Sequence, residues 1–548
     1  MRKSGLHYFA LLGVIILGTA LRFWHLELKP LWLDEVLTAF FSLGSRYQEL
    51  PLDVVFPLSR LADILTLQPE VSCREIARNL ANQSTHPPLF FCLMHGWLNL
   101  VGADRLVWAL RSLPALLGVA VIVAVYGLNR LVFSKSAALM AAALMAVSPF
   151  AVYLSQEARH YTLPMLLITL AVVGLMQIQQ DLCSRQQLPK PLIWIFWGIV
   201  NSIGCYVHYF FILAFAAQLL TLIGLMYWHR QQLPRGSWVV LVLVVSGVAI
   251  SYFPWLTVLL ADVGRQETDW LPKPENIAPL YQMIAGGLLM VVAFPVEDRP
   301  LSIAVPMGLL MIGCGGWVGW QGWRGLRQLW HKSSTQLATF TLVGLTVGVL
   351  LQFLAIIYVL GKDISVAPRY NFVYYPTLCA LLGASLTLGK GVQQKRGKLL
   401  LLFISLLSTV LVVYNLVFLK PFDPHQVAQD MTQDPGVPVM MVMGYNDLQD
   451  IALGLSFALA FNPLNPGVEQ GSLAFLNRQQ GYDRFWQKLS ELPISSVSQL
   501  NLWVVAPGIK RRDYPLELAI ATYHHCPLDP TEHHRLGVPY QLYRCSRN

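Results

Sequence analysis

Over its first three quarters the chain alternates long apolar runs with short polar joints, and after residue 419 that rhythm stops. A helix needs about 20 mostly apolar residues to cross a hydrocarbon core. Runs of that kind predict spans over 6–23, 107–128, 137–154, 163–180, 192–207, 210–228, 237–258, 301–320, 337–361, 371–389 and 399–418. Two shorter apolar stretches, 88–101 and 281–296, break the alternation of sides and are read as interfacial or re-entrant helices. Arg2 and Lys3 before an apolar run ending Gly18-Thr19-Ala20 have the features of a signal peptide. The run is read instead as a retained anchor, because a stretch dense in polar chemistry follows at once.

The pattern divides the chain into a transmembrane domain, 1–418, with a long first external loop at 24–106, and an extracytoplasmic domain, 419–548. The loop carries amphipathic pieces around 32–43 and 72–82, and a second external segment covers 259–300. In the terminal domain short apolar runs (438–443, 502–506, 539–544) alternate with helical patterns (450–460, 482–491). Turn signals at Asp434-Pro435-Gly436 and Asn462-Pro463 separate them, which predicts a small α/β or α+β domain. The fold class is therefore an α-helical polytopic membrane protein of about 11 transmembrane helices with a small terminal domain of mixed structure.

Composition agrees. Of 548 residues, 55% are apolar and 13% charged, about half the charge of a soluble domain; lipid must cover much of the surface. The net charge of +9 does not point to nucleic acid, because the basic residues recur in every second loop. They are Arg2/Lys3, Arg130/Lys135, Arg185/Lys190, Arg230/Arg235, Arg324/Arg327/Lys332 and Lys390/Lys395/Arg396/Lys398. The positive-inside rule makes these cytoplasmic, so the N-terminus is inside a cytoplasmic membrane and the C-terminus outside. Eight cysteines without a CxxC pair give no metal or redox motif. Cys526 and Cys545 lie on the oxidising side, where a disulfide between them is expected. His524-His525 and His533-His534 are read as surface histidines rather than a zinc site.

With this topology, the ionisable groups at the outer ends of the spans fall on one side. Asp34-Glu35 follows the first span, His86-Pro87-Pro88 closes the first loop, and Ser155-Gln156-Glu157-Ala158-Arg159-His160-Tyr161 ends the third span. His208-Tyr209 sits at the turn between the fifth and sixth, Arg265, Glu267, Asp269 and Lys273 lie in the later loop, and Arg369-Tyr370 opens the tenth. Adjacent residues on a helix point about 100° apart, so one acid of Asp34-Glu35 faces a site while its neighbour caps the helix. A carboxylate beside a membrane-level cavity suits a general base or an oxygen ligand to a divalent cation. Arginines from separate loops suit phosphate oxygens, which accept bidentate, charge-assisted hydrogen bonds from guanidinium. A lipid carrying a phosphate would use both features. Internal repeats and charges at mid-span, the marks of a transporter or flippase of lipid-linked saccharide, are not evident.

Leu33-Asp34-Glu35, His86-Pro87-Pro88-Leu89-Phe90, the 155–161 heptapeptide and Pro368-Arg369-Tyr370, in that order and on one side, resemble the membrane glycosyltransferases of the GT-C fold. The likeness is greatest to the superfamily of protein O-mannosyltransferases and lipid A aminoarabinose transferases in its bacterial family 39-like form, and it covers about residues 1–390. The resemblance implies a polyprenyl-phosphate-linked sugar as donor, inversion at the anomeric carbon, and an acceptor that is a glycan, lipid or protein. It also implies Asp34 as the acidic residue acting at the acceptor, supported by Glu35. Glu157, Arg159 and Tyr161, with His86, His208 and Tyr370, then line the substrate site, and Arg265 or Lys273, with Arg369, holds the donor phosphate. Whether a divalent cation (Mg or Mn) on Asp34 and Glu157 takes part is left open by the family.

Overall fold

A computed structural model describes residues 2–262, 271–388, 392–434, 436–461, 471–494, 497–520 and 523–547. The chain forms two compact units. One comprises residues 1–28, 84–93 and 108–418; the other comprises 29–83, 94–107 and 419–548.

The first unit is helical. Among the described residues, eight helices are long and apolar enough to cross a bilayer, or nine if the bent pair Lys135–Val147 and Pro149–Ser155 is one span. Helices stand at all the positions the apolar runs predict, but Pro191–Cys205 and Tyr375–Ser385 are short, at 15 and 11 residues. The 371–389 run loses its first turns to a 3-10 segment, Pro368–Val373, and the helix starts only at Tyr375. The two intermediate stretches form short helices, Leu89–Val101 and Ala278–Leu289.

The 58° bend in the third span has a definite cause. Pro149 has no N–H to give the carbonyl of Met145, and the Ser148 hydroxyl takes over the amide of Ala151 as a new N-cap. Carbonyls of the preceding turn are thus left without helical donors. Fully buried Arg22 supplies them: Nη2 donates to Met145 O at 3.0 Å and Nη1 to Ala146 O at 3.2 Å, while the Thr409 hydroxyl donates to Val147 O at 2.6 Å. A cation at the negative end of a helix is favourable, so one arginine both satisfies the break and cross-links two spans. Gly118 makes room for this, since a Cβ there would lie 2.2 Å from the Ser155 hydroxyl and 2.9 Å from Arg22 Nε.

The second unit is built on a seven-stranded sheet. Its strands are β1 (Val55–Pro57), β2 (Val439–Tyr445), β3 (Ser472–Asn477), β4 (Gln499–Val505), β5 (Glu517–Ile520), β6 (Tyr523–Leu536) and β7 (Val538–Ser546), in the order β1-β3-β2-β4-β7-β6-β5. β2 runs parallel to both β3 and β4, and helices Leu448–Phe461 and Tyr482–Glu491 make the crossovers that parallel pairing requires. β2 is buried along its whole length, which explains its uninterrupted apolar sequence. Met440, Val442, Leu502 and Val504 pack on one face against Phe485 and Leu489 of the second crossover helix. On the other face Gly454 of the first helix lets the Phe475 ring approach within 2.6 Å of where a Cβ would stand. β6 and β7 are joined by the Cys526–Cys545 disulfide that the sequence anticipates. β1 comes from the long segment after the first helix and pairs antiparallel with β3, fixed by Asp53, which accepts from the Asn477 amide at 2.9 Å and pairs with Lys488 at 3.0 Å.

Candidate functional site

In the first unit, polar residues from four separate segments gather into one cluster. The heptapeptide 155–161 links helices Pro149–Ser155 and Thr162–Gln179. Its first residues are structural: the Gln156 side-chain amide donates to Leu21 O and Trp24 O at 3.2 and 2.9 Å, pinning the turn to the end of the first helix. The remainder presents chemistry. Glu157, Arg159, His160 and Tyr161 are all buried, and the Tyr153 hydroxyl is hydrogen-bonded to Glu157.

His86 is half-buried and reaches this turn from the start of the unit's second segment. Arg159 Nη2 donates to His86 Nε2 at 2.9 Å, and His86 Nδ1 lies 2.8 Å from the Ser84 hydroxyl. Guanidinium has only donors, so Nε2 must be the acceptor and Nδ1 the protonated nitrogen; His86 is neutral in this arrangement. The turn between Pro191–Cys205 and Phe211–Trp228 brings His208, whose Nδ1 accepts the Phe210 amide at 2.9 Å. Its ring lies 4.5 Å from His160 and 4.8 Å from Phe372, and the His160 ring is 5.4 Å from His86 and 4.8 Å from Tyr161. The 3-10 segment adds Arg369, its guanidinium 5.6 Å from the Tyr370 ring, while the Arg159 guanidinium is 5.9 Å from the Tyr161 ring.

The electrostatics of this cluster follow from burial. Desolvation holds the His160 imidazole well below the ordinary histidine range, and His208, Arg159, His86 and Arg369 push it further the same way. His208 is lowered by desolvation first and then by His86, Arg159 and Arg369. The imidazoles are therefore neutral at pH 7 and the arginines carry the charge. A region with two guanidinium groups, neutral imidazole N–H donors and tyrosines is suited to an anion with several oxygens.

The acid pair lies in the second unit, in the first turn of helix Leu33–Ser42. Glu35 is fully buried and its carboxylate turns back to the Trp32 amide at 3.4 Å, the helix-capping role expected of one member of the pair. Asp34 is half-buried in the same turn.

Of the residues the sequence singled out, His86, Glu157, Arg159, Tyr161, His208, Arg369 and Tyr370 thus belong to the membrane unit's turns, and Asp34 and Glu35 to the other unit. Lys273 is exposed. Arg265, Glu267 and Asp269 lie outside the described residues. His160 and Tyr153 were missed as site residues. The former stood inside the quoted motif, and the latter sits four residues before Glu157 on a helix that reads as plain apolar span. Among the described residues no three His, Cys, Asp or Glu side chains are grouped so as to hold a metal ion. His525, His533 and His534 are each bonded to a neighbouring Glu or Gln side chain: Glu517, Gln541 and Glu532.

Residues 85–255, which contain the His86, Arg159 and His208 turns, match the family model described as dolichyl-phosphate-mannose-protein mannosyltransferase. No curated protein matches the chain. Among solved structures, ArnT from Cupriavidus metallidurans bound to undecaprenyl phosphate is similar over 99% of this chain and 98% of its own, with 12% identity and a TM-score of 0.50. The archaeal oligosaccharyltransferase AglB from Archaeoglobus fulgidus, in complex with an inhibitory peptide and a dolichol-phosphate, aligns over 84% of this chain and 64% of its own, with 13% identity and a TM-score of 0.43. The A. fulgidus oligosaccharyltransferase complexed with Zn and sulfate aligns over 82% and 61%, with 14% identity and a TM-score of 0.45. Similarity over 99% of this chain, together with eight or nine candidate spans among the described residues, makes this a multi-pass membrane protein with the GT-C fold.

Proposed function

We propose that the protein transfers a sugar from a polyprenyl-phosphate donor to an acceptor on the extracytoplasmic face of the cytoplasmic membrane, with inversion. The observation that carries this reading is the burial of Arg159 among neutral imidazoles, with Arg369 close enough to lower them electrostatically. Such a cluster binds a phosphate, and its place at the ends of apolar helices suits a phosphate carried on a lipid.

In the reaction, an acceptor hydroxyl or amine attacks the anomeric carbon as the bond from that carbon to the phosphate oxygen breaks. The acceptor proton passes to Asp34 as general base, and the bonding electrons leave with polyprenyl phosphate. The transition state has the oxocarbenium character of glycoside cleavage. A phosphate monoester is a stable anion, so fixed positive charge from Arg159 and Arg369 replaces a strong general acid. Arg265 and Lys273 are assigned to the same phosphate on the resemblance alone. His86, His208, Tyr161 and Tyr370 orient the donor, and Glu157 helps fix the 155–161 turn through Tyr153.

The test is incubation of the purified protein in lipid with radiolabelled prenyl-phosphate sugars, hexosyl and pentosyl, alongside candidate glycan, lipid and peptide acceptors. Release of prenyl phosphate with label on an acceptor or water supports transfer. Movement of intact donor across the bilayer without release would instead establish a transporter.

A further inference from the structure

The helix Leu301–His331 carries Arg324 and Arg327 in its last turns, and Val392–Val413 carries Lys398 in its second turn. Helix Ser333–Tyr358 begins beside this end and runs toward the 3-10 segment that bears Arg369. Its 26 residues span about 39 Å at 1.5 Å per residue. The basic end and the His-Arg cluster therefore lie at opposite ends of one span within the same unit.

Two adjoining cavities open here. Arg324, Arg327, Gln328, His331 and Lys332, all at the end of one helix, border a wide, open depression of about 690 Å³. Arg324 and Gln328 also line the second, a narrow cleft completed by Trp317, Leu386 and Lys398. Among the described residues, no acidic side chain lines either. The cleft is shaped by close helix approach: a Cβ on Gly325 would fall 2.3 Å from the Ser385 carbonyl oxygen, and one on Gly397 would fall 3.0 Å from the Trp317 ring. The Arg324 guanidinium sits 4.7 Å over the Trp320 ring, and Trp320 and Trp323 are 53% and 61% exposed. Exposed tryptophans at a span end mark the depth of the lipid headgroups.

Positive-inside bias alone scatters basic residues over loops. Here Arg324 and Lys398 come from separate helices and border one cleft walled by Trp317 and Leu386, while Arg327 lies beside it on the helix of Arg324. We infer that this is a second lipid-binding site, on the leaflet opposite the proposed reaction, which takes the phosphate headgroup of an anionic phospholipid. Arg324 and Arg327 grip the phosphate oxygens and Lys398 neutralises the remaining charge. Trp317 and Leu386 meet the start of the acyl chains. Basic pockets between membrane helices recognise headgroups in this way. The inference does not depend on the donor or acceptor of the reaction.

Native mass spectrometry of the full-length protein, released from nanodiscs of phosphatidylcholine with a minor fraction of phosphatidylglycerol, provides the test. Wild type is expected to retain phosphatidylglycerol. R324Q/K398Q should retain roughly tenfold less, and R324K/K398R should recover most of it, since near-surface basic residues carry the attraction. R130Q/K135Q, which removes two basic residues from another inner loop, is the control. Equal loss in cavity and control variants would overturn the inference, reducing it to general surface charge. Displacement of the lipid by equimolar inorganic phosphate would overturn it too, by making the pocket a soluble-anion site. Should R324Q/K398Q fail to fold, R327Q at an exposed position reads the same outcomes.

Discussion

His160 and His525 stand for the two units' opposite treatment of polar groups. His525, in the sheet, is exposed and lies 2.5 Å from Glu517; close by, Arg544 is held between Asp434 and Asp529 at 2.6 and 2.7 Å. His160, in the membrane unit, is 1% exposed, and neither ring nitrogen has a hydrogen-bond partner among the described residues. A buried polar atom left unsatisfied costs about 1–3 kcal/mol, whereas an exposed ion pair contributes about 1 kcal/mol or less. The sheet uses its charges as surface fastenings; the membrane unit keeps desolvated imidazoles where a substrate anion is proposed to bind.

The sharpest way to break this contrast is through Asp34. Asp34→Asn should lower transfer by roughly 10²–10⁴-fold, the usual worth of a general base, with donor affinity unchanged; normal turnover would remove Asp34 from the reaction. Next come the arginines. Arg159→Ala and Arg369→Ala should each weaken donor binding by about 10- to 100-fold, as expected for losing a hydrogen bond to a charged group. Titration of a fluorescent prenyl-phosphate sugar would show this, and unchanged affinity in both variants would exclude the phosphate role.

Cys526→Ser touches the other unit. The 19-residue separation predicts about 3 kcal/mol of lost stability, seen as faster proteolysis of the terminal domain with transfer intact in the surviving protein. The pH dependence follows from the lowered imidazoles. Between the unfolded histidine value near 6.5 and the lower folded values, only the unfolded state holds the extra protons. Stability of the membrane unit is therefore full above that value and falls as the pH drops below it, by about 1.4 kcal/mol per group per pH unit. His160→Phe should flatten the slope of melting temperature between pH 6.5 and 5; an unaltered slope would mean His160 is protonated in the fold. Smallest of all, His525→Ala should change stability by less than about 0.5 kcal/mol, and a larger loss would show that the sheet's surface pairs matter more than their exposure suggests.

The membrane helices were readable because lipid enforces a plain rule: every span must be apolar and about as long as the bilayer is thick. The sheet was half readable. β2, β4 and β7 announce themselves as apolar runs, and helix Tyr482–Glu491 places Phe485 and Leu489 at helical spacing. β6 does not, because its His524-His525, Asp529 and His533-His534 and two prolines hide a strand with a register shift opposite them. β1 is only three residues long and draws its pairing from a distant partner, which no local pattern encodes. At the candidate site, motif order singled out turns whose side chains gather, but a sequence could not say that Gln156 pins the turn while His160 lies amid His86, His208 and Tyr161. That distinction rests on which side chains find partners after folding.

The pairing of β1 with β3 also governs how the protein can be made. The contact from Asp53 to Asn477 joins positions 424 residues apart, and Leu31 accepts from Ser456 across 425. A ribosome that has delivered the segment carrying β1 must still produce every later span before these partners exist. The opening loop therefore waits, without the rest of its sheet, until the end of synthesis. Truncating the tail would strand that early segment as well as deleting the late one.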